Sequence, residues 1–176
     1  MALYLVSGSS GTGKSQICHA LKEKGFEAYD TDDDGLARWQ HNETRYIHPK
    51  SSIKPEMRTA DFIDQHSWTV PRQYVEDLVQ KAEDHSIFVC GSLGNVEELH
   101  DLFKAVFALY VDDKTLTERL TNRTTNDWGK QPHELEQTLR HHHAIYDKYR
   151  QLGDFVIDAT QPPEKVVEDI LTEAGN

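Results

Sequence analysis

The chain has 176 residues, enough for one domain whose hydrophobic core needs neither disulfides nor a structural metal. Nineteen Lys and Arg stand against thirty Asp and Glu, a net charge of −11 that repels polyphosphate backbones, so nucleic acid is not expected as a partner. No apolar run approaches a membrane span, and the stretch 3–6 is too short, and lacks the basic flank, to be a signal peptide, so a cytoplasmic protein, monomer or homodimer, with no membrane partner is expected.

In chain order, short apolar or β-branched runs predict strands at 3–7, 26–30, 87–91, 105–111 and 155–158. Helical spacing fills the segments between them at 14–24 (ended by Gly25), 71–84, 95–103, 113–123, 132–152 and 162–174, several of which open on Asn, Asp or Pro as caps require. Five buried strands with helical crossovers imply an α/β fold in three layers, a parallel sheet covered on both faces, in a single domain over 1–176. Segment 31–69 shows no clean period and carries Trp39, Tyr46, Trp68, scattered histidines and prolines. It is the expected substrate-binding insertion (about 31–70), and base rates make those aromatics its own core rather than a stacking platform. Cys18 and Cys90, far apart in sequence and inside apolar segments, read as buried free thiols.

The strongest motif follows the first strand. Gly8-Ser9-Ser10-Gly11-Thr12-Gly13-Lys14-Ser15 satisfies G-x-x-x-x-G-K-[ST] at every required position, after a predicted strand and before a predicted helix. Glycines let such a loop wrap closely, so that backbone N–H groups and the positive end of the following helix point at phosphate oxygens. Lys14 is then placed for the β and γ phosphates and Ser15 for Mg²⁺, which makes ATP and Mg²⁺ the expected cofactors and a P-loop nucleoside triphosphate hydrolase fold the expected architecture. The second strand ends in Asp30, Asp32, Asp33 and Asp34, a crowd of carboxylates better explained by a cation or an acceptor hydroxyl than by a solvated turn. Asp112 and Asp113, at the end of the fourth strand, are better read as helix caps.

The phosphate loop, "YDTD" after the second strand, a glycine-ended third strand and "LTERLTNRTTNDWG" together resemble the shikimate-kinase-like and nucleoside-kinase-like branch of P-loop small-molecule kinases, in the nucleoside monophosphate kinase fold and the AAA-type ATPase family, over nearly the whole chain. The resemblance implies that Asp30 holds the metal through water and that Asp32 binds the acceptor hydroxyl and helps remove its proton. Arg58, Gly91 and Ser92 then stand at acceptor-binding positions, the segment 119–132 is the lid, and Thr160, in the loop 159–163, lies where relatives hold adenine. Two departures weigh against shikimate itself. A triple glycine is reduced to Gly91, Ser92 and Gly94, and the histidines 141–143 replace an arginine ahead of Tyr146.

Arg119 and Arg123, four apart on a predicted helix, face one way and could neutralise charge on a transferring phosphoryl group, while "TTNDWGKQP" with Lys130 suits a mobile flap. Successive histidines on a helix point about 100° apart and cannot converge on one ion, so His142 or His143 is weighed instead as a residue that reaches the acceptor. The function expected is a Mg·ATP-dependent transfer of the γ-phosphoryl group to a hydroxyl of a small molecule, a nucleoside or similar neutral acceptor ahead of shikimate-like acids and nucleoside monophosphates. An ATP-switched binding protein is the more distant alternative.

Overall fold

The structure is a computed structural model that describes residues 2–124 and 127–175. In chain order its first half comprises β1 (Leu3–Ser7), α1 (Lys14–Glu23), β2 (Glu27–Asp30), β3 (Arg38–His41), α2 (Ala60–Gln65), β4 (His66–Thr69) and α3 (Arg72–Lys81). The second half comprises β5 (Ile87–Cys90), α4 (Val96–Leu99), β6 (Ala105–Tyr110), α5 (Asp113–Asn122), α6 (Pro132–Gln151), β7 (Phe155–Asp158) and α7 (Pro163–Ala174).

Five of these strands make one parallel sheet in the order β2-β5-β1-β6-β7, the α/β architecture expected from the sequence. Every residue of β1 and β5 is buried because helices cover both faces. Alternation then divides β1 between two cores. Tyr4 and Val6 pack with Ile17, Leu21, Val167 and Ile170 of α1 and α7, whereas Leu3 and Leu5 pack with the layer that contains Val75, Tyr146 and Tyr149 of α3 and α6. The chain leaves β1 towards β2 on one side and crosses from β5 to β6 on the other, so the carboxyl end of β1 is a topological switch point, where crevices open in sheets of this kind. Cys18 and Cys90 are both free and buried, and their thiols meet where α1 crosses the end of β5. Among the described residues no helix is long and apolar enough to cross a membrane.

Most helix boundaries fall within a few residues of their expected positions, with physical causes visible at the ends. Asp112 caps α5 by accepting hydrogen bonds from the Thr115 N–H at 2.9 Å and the Thr115 hydroxyl at 2.7 Å, as its sequence context suggested. The helix expected over 95–103 is instead the single turn α4 followed by a 3-10 turn, His100–Leu102. In segment 31–69 lies an element that no period announces: β3 and β4 pair antiparallel with Trp39 opposite Trp68. Their rings meet edge to face at 5.2 Å. These aromatics are not a buried core of that segment, as had been expected. Trp39 and Trp68 line a cleft, and Tyr46 is 58% exposed.

Because Asp112 caps a helix, Asp112→Ala is expected to lower Tm by a few degrees, measured by thermal unfolding.

Candidate active site

At the switch point β1 hands the chain to the loop Gly8–Ser15, and α1 begins at Lys14 behind Gly13, whose φ of 103° turns the backbone into the helix. Gly8 is dictated by a close approach: a Cβ there would lie 2.7 Å from the Leu109 carbonyl oxygen and 3.3 Å from the Tyr146 hydroxyl, and its φ is 141°. Loop carbonyls are held from the sides and rear. Ser92 donates to Gly8 O at 2.8 Å, Thr12 Oγ1 to Ser9 O at 2.9 Å, and Arg119 to Thr12 O at 3.2 Å. Arg119 also donates to Ala159 O at 3.0 Å, which ties the loop carrying Thr160 to the phosphate loop; Thr160 itself is folded onto Asp158 through its N–H and hydroxyl.

Arg123 reaches the same loop, donating to the Ser10 hydroxyl at 3.1 Å and to the Trp128 carbonyl. It does so from an extended backbone, ψ 147°, because α5 stops at Asn122 rather than including residue 123. Both arginines therefore converge on the loop, but not as two residues of one helix face. Lys130 donates to the Thr121 and Arg123 carbonyls at 2.8 and 2.5 Å, which fastens the far side of this segment to the end of α5. Thr125 and Asn126, inside the expected lid, lie outside the described residues.

Behind the loop runs a stripe of α6. Its side chains at i, i+4 and i+7 fall on one helical face. Tyr149 shares a 2.6 Å hydrogen bond with Ser7, Tyr146 donates to Leu109 O, and His142 joins Ser9 Oγ at 3.0 Å to Val111 O at 2.7 Å. A carbonyl only accepts, so His142 Nε2 carries a proton, and Nδ1 faces the Ser9 hydroxyl. His142 is fully buried in this support, His143 sits outside against Asp113 at 3.1 Å, and of the three histidines it is His141 that lines the cleft. His142 and His143, put forward from the sequence as the residues that reach the acceptor, therefore do not line the cleft, because the roles of the three depend on which face of α6 meets the sheet.

Lys14 folds back to donate to Gly8 O and Ser9 O at 2.9 and 2.8 Å. Burial lowers its pKa to about 8, against the opposing pull of Asp32 and Asp30. Asp30 is buried, and its Oδ1 accepts the backbone N–H of Asp32 at 2.9 Å and of Asp33 at 3.2 Å, shaping the turn that presents Asp32. Asp30 first, then burial, Asp32 and Asp34, hold the Asp33 carboxyl above its usual value, the like-charge crowding expected of this run. Asp32 Oδ1 accepts the Trp68 indole N–H at 2.8 Å, a contact between positions 36 apart that no sequence signal foretells.

Among the described residues no three His, Cys, Asp or Glu converge to hold a metal. What the site offers beside Lys14 is the exposed Ser15 and the carboxylates Asp30 and Asp32, hard oxygen donors too few for a protein cage. That donor set fits Mg²⁺, which is usually held by one or two protein oxygens, substrate phosphates and water.

In front of the loop opens a cleft of about 830 Å³, walled by Ser9, Ser10 and Ser92, by Trp39, Trp68 and Trp128, and by the inner face of α6. Of its described lining residues Arg58 is the only Arg or Lys, against three carboxylates, Asp32, Asp64 and Asp127. Arg58 is itself neutralised. It pairs with Asp127 at 3.2 Å and with fully buried Glu134 of α6 at 3.1 Å, the latter an ionic contact without an aligned hydrogen bond, and packs over Trp128 at 5.5 Å. The remaining arginines of 31–69 point elsewhere, Arg38 to the Gly35 and Ala37 carbonyls and Arg45 to Glu98 at 2.8 Å. Gly91 lies at the strand end beneath Thr31, where a Cβ would fall 1.9 Å from Thr31 Oγ1.

A family model described as an AAA domain matches residues 5–161. The chain belongs to the AAA domain family. No curated protein matches it. Among solved structures it is similar to a sugar kinase from Janibacter sp. (21% identity, 98% of this chain and 94% of that one, TM-score 0.59). A shikimate kinase from Acinetobacter baumannii in complex with shikimate is similar too (19%, 98% and 91%, TM-score 0.61), as is a deoxyadenosine kinase from M. mycoides with bound dATP (16%, 100% of both chains, TM-score 0.56). This AAA domain thus shares the fold of P-loop small-molecule kinases, as the sequence resemblance implied.

Two outcomes follow from the geometry. Gly91→Ala is expected to cost about 1–3 kcal/mol in urea unfolding, and Thr31→Ala in the same chain to recover part of it, since alanine removes the two nearest atoms, Thr31 Oγ1 and Cγ2, and keeps the Cβ that lies 2.7 Å from the added methyl. Lys14 is protonated both folded and unfolded below pH 8 and neutral in both above about pH 10.5, so the unfolded chain binds more protons only between these values. Relative to Lys14→Met, wild-type stability should therefore rise between pH 8 and pH 10.5, by up to about 3 kcal/mol, and run parallel to it below pH 8.

Proposed function

We propose that the protein is a Mg·ATP-dependent kinase, acting as one domain, that transfers the γ-phosphoryl group to a hydroxyl of a neutral small molecule, a nucleoside or similar compound. The observation that carries this is the charge of the cleft in front of the phosphate loop: three carboxylates and one arginine already paired with two acids. An acceptor with its own phosphate would meet repulsion of about a kcal/mol or more for each close uncompensated pair at intermediate dielectric. A neutral polyol meets none, and the three tryptophans offer an apolar wall for a base or a sugar face.

In this assignment Gly8–Ser15 cradle the triphosphate, with Lys14 swinging from the loop carbonyls to the phosphates, and the loop holding Thr160 borders the adenine. Ser15 and, through water, Asp30 would hold Mg²⁺, whose contribution is to offset phosphate charge. Asp32 Oδ2 accepts the acceptor hydroxyl and takes its proton as the acceptor oxygen bonds to the γ-phosphorus and the bond from that phosphorus to the β–γ bridging oxygen breaks, the electron pair leaving with ADP. Arg119 and Arg123, anchored at the loop, stabilise charge on the transferring group, and segment 119–132 is the lid. Ser92 and Gly91 border the acceptor. Arg58 shapes the wall and does not receive an anion, because its charge is already balanced.

ADP release coupled to a reporter, at fixed Mg·ATP, is expected to be highest with nucleosides or neutral sugars and near background with nucleoside monophosphates and shikimate. Lys14→Ala should fold and lose about 100-fold or more of that rate, as loss of a charge clamp does elsewhere. Strong preference for a monophosphate would reverse the choice of acceptor, and wild-type turnover in Lys14→Ala would remove the kinase assignment.

A further inference from the structure

The proton acceptor assigned above, Asp32, is a carboxylate on an exposed turn, and a carboxylate on a turn rotates unless something holds it. The structure shows what does. Trp68 Nε1 lies 2.8 Å from Asp32 Oδ1, and an indole N–H is a donor with no acceptor capacity, so this contact has one polarity. The second nearby donor, the Thr31 hydroxyl, addresses the same oxygen at 3.4 Å. Among the described residues Oδ2 has no hydrogen-bond partner, and Asp32 lines the cleft.

Trp68 can act as a fixed donor because it is held at both backbone and ring. Its carbonyl accepts the Gly94 N–H at 2.7 Å, which anchors β4 to the loop that follows β5 and carries Ser92. Its ring is set by the cross-strand partner Trp39, which is braced in turn by Phe62 at 5.3 Å and Trp128 at 5.9 Å. The indole is therefore attached to the segment 31–69 while its N–H reaches the carboxylate at the end of β2.

We propose that Trp68 is a positioning residue for the phosphoryl transfer: its indole N–H clamps Asp32 Oδ1 so that Oδ2 is the oxygen presented to the acceptor hydroxyl. The role rests on the kinase assignment and on Asp32 as the proton acceptor. It differs from that of an apolar wall, to which any large aromatic side chain could contribute. Removing the N–H while keeping the ring face should harm the transfer step and spare nucleotide binding, because a misplaced base affects the reacting geometry and leaves the phosphate loop intact.

The test uses hydrolysis of Mg·ATP with water as the sole acceptor, which needs no knowledge of the natural acceptor. Wild type, Trp68→Phe, Asp32→Asn and the double variant are compared for kcat and for KM of ATP, with KM reporting that the site is folded. Trp68→Phe is expected to lower kcat by about tenfold to 100-fold at unchanged KM, and the double variant to be no slower than Asp32→Asn, since the clamp has nothing to position once the carboxylate is gone. Should Trp68→Phe unfold, replacing Trp68 with benzothienylalanine, which keeps the bicyclic shape and lacks only the N–H, gives the same comparison. Wild-type kcat in the Trp68 variants while Asp32→Asn is impaired would overturn the positioning role alone, as would a double variant slowed by the product of the two single effects. Wild-type kcat in Asp32→Asn would overturn the assignment of Asp32 and the clamp with it.

Discussion

A loop that presents its amides to an anion cannot also use them to hold itself together. Of the N–H groups of residues 9–15, among the described residues, only that of Thr12 donates to a backbone carbonyl, Ser9 O at 3.3 Å. Everything that fixes the loop must therefore come from other groups, and much of the molecule is arranged to supply them. Ser92 from the loop after β5, Arg119 from α5 and Lys14 from α1 take its carbonyls, while His142 from α6 and Arg123 take its hydroxyls. The stripe Tyr149, Tyr146 and His142 extends this support from β1 to the carboxyl end of β6, which is why α6 carries polar aromatic groups on a face that elsewhere would be aliphatic. Burial raises the Tyr149 phenol to about 12, so it stays a neutral partner to Ser7 across the working range of pH.

Electrostatics at the front of the loop follow from the same arrangement. With Lys14 folded onto carbonyls and its pKa lowered mainly by burial, its ammonium is poorly solvated. The acids of the Asp30–Asp34 turn pull the other way, and they restrict what else can enter. A phosphate group held by the loop amides and Lys14 is compensated there, whereas a second phosphate placed in the cleft would find Asp32, Asp64 and Asp127 and no free arginine among the described lining residues. The two sides of the site thus differ in their distribution of charge.

How much of this a sequence can reveal depends on the distance over which each feature is determined. The strands of the parallel sheet and the helix ends at Gly25 and Asp112 are set by local pattern and capping, and they stand where the residues placed them. The phosphate loop is legible for the same reason, because its chemistry is contained in eight consecutive residues. Pairing of β3 with β4 was not legible: Arg38–His41 and His66–Thr69 have no apolar alternation, and the ring contacts that join them are Trp39 with Trp68 and His41 with His66. Contacts of long sequence separation were hidden as well. Arg58 meets Glu134 across 76 positions, Trp68 meets Asp32 across 36, and His142 meets Ser9 across 133, each fixed by tertiary packing alone.

Arg58 shows how such a hidden contact changes what a residue can do. From its place in the chain it resembles a receptor for an anionic acceptor, and it does line the cleft. Yet Glu134, whose other oxygen caps the Gly129 N–H at 2.9 Å, is fully buried, and a buried carboxylate left without its partner carries a penalty of about 3–5 kcal/mol. An anion in the cleft would have to draw the guanidinium from Glu134 against that penalty. His133 adds a further tie by donating from Nε2 to the Arg58 carbonyl at 2.7 Å, so residue 58 is bound to the amino end of α6 through both side chain and backbone. Since Asp127 and Trp128 take hold of the same guanidinium, this one cation joins segment 31–69, the start of α6 and the segment after α5 around the mouth of the cleft without any ligand charge between them.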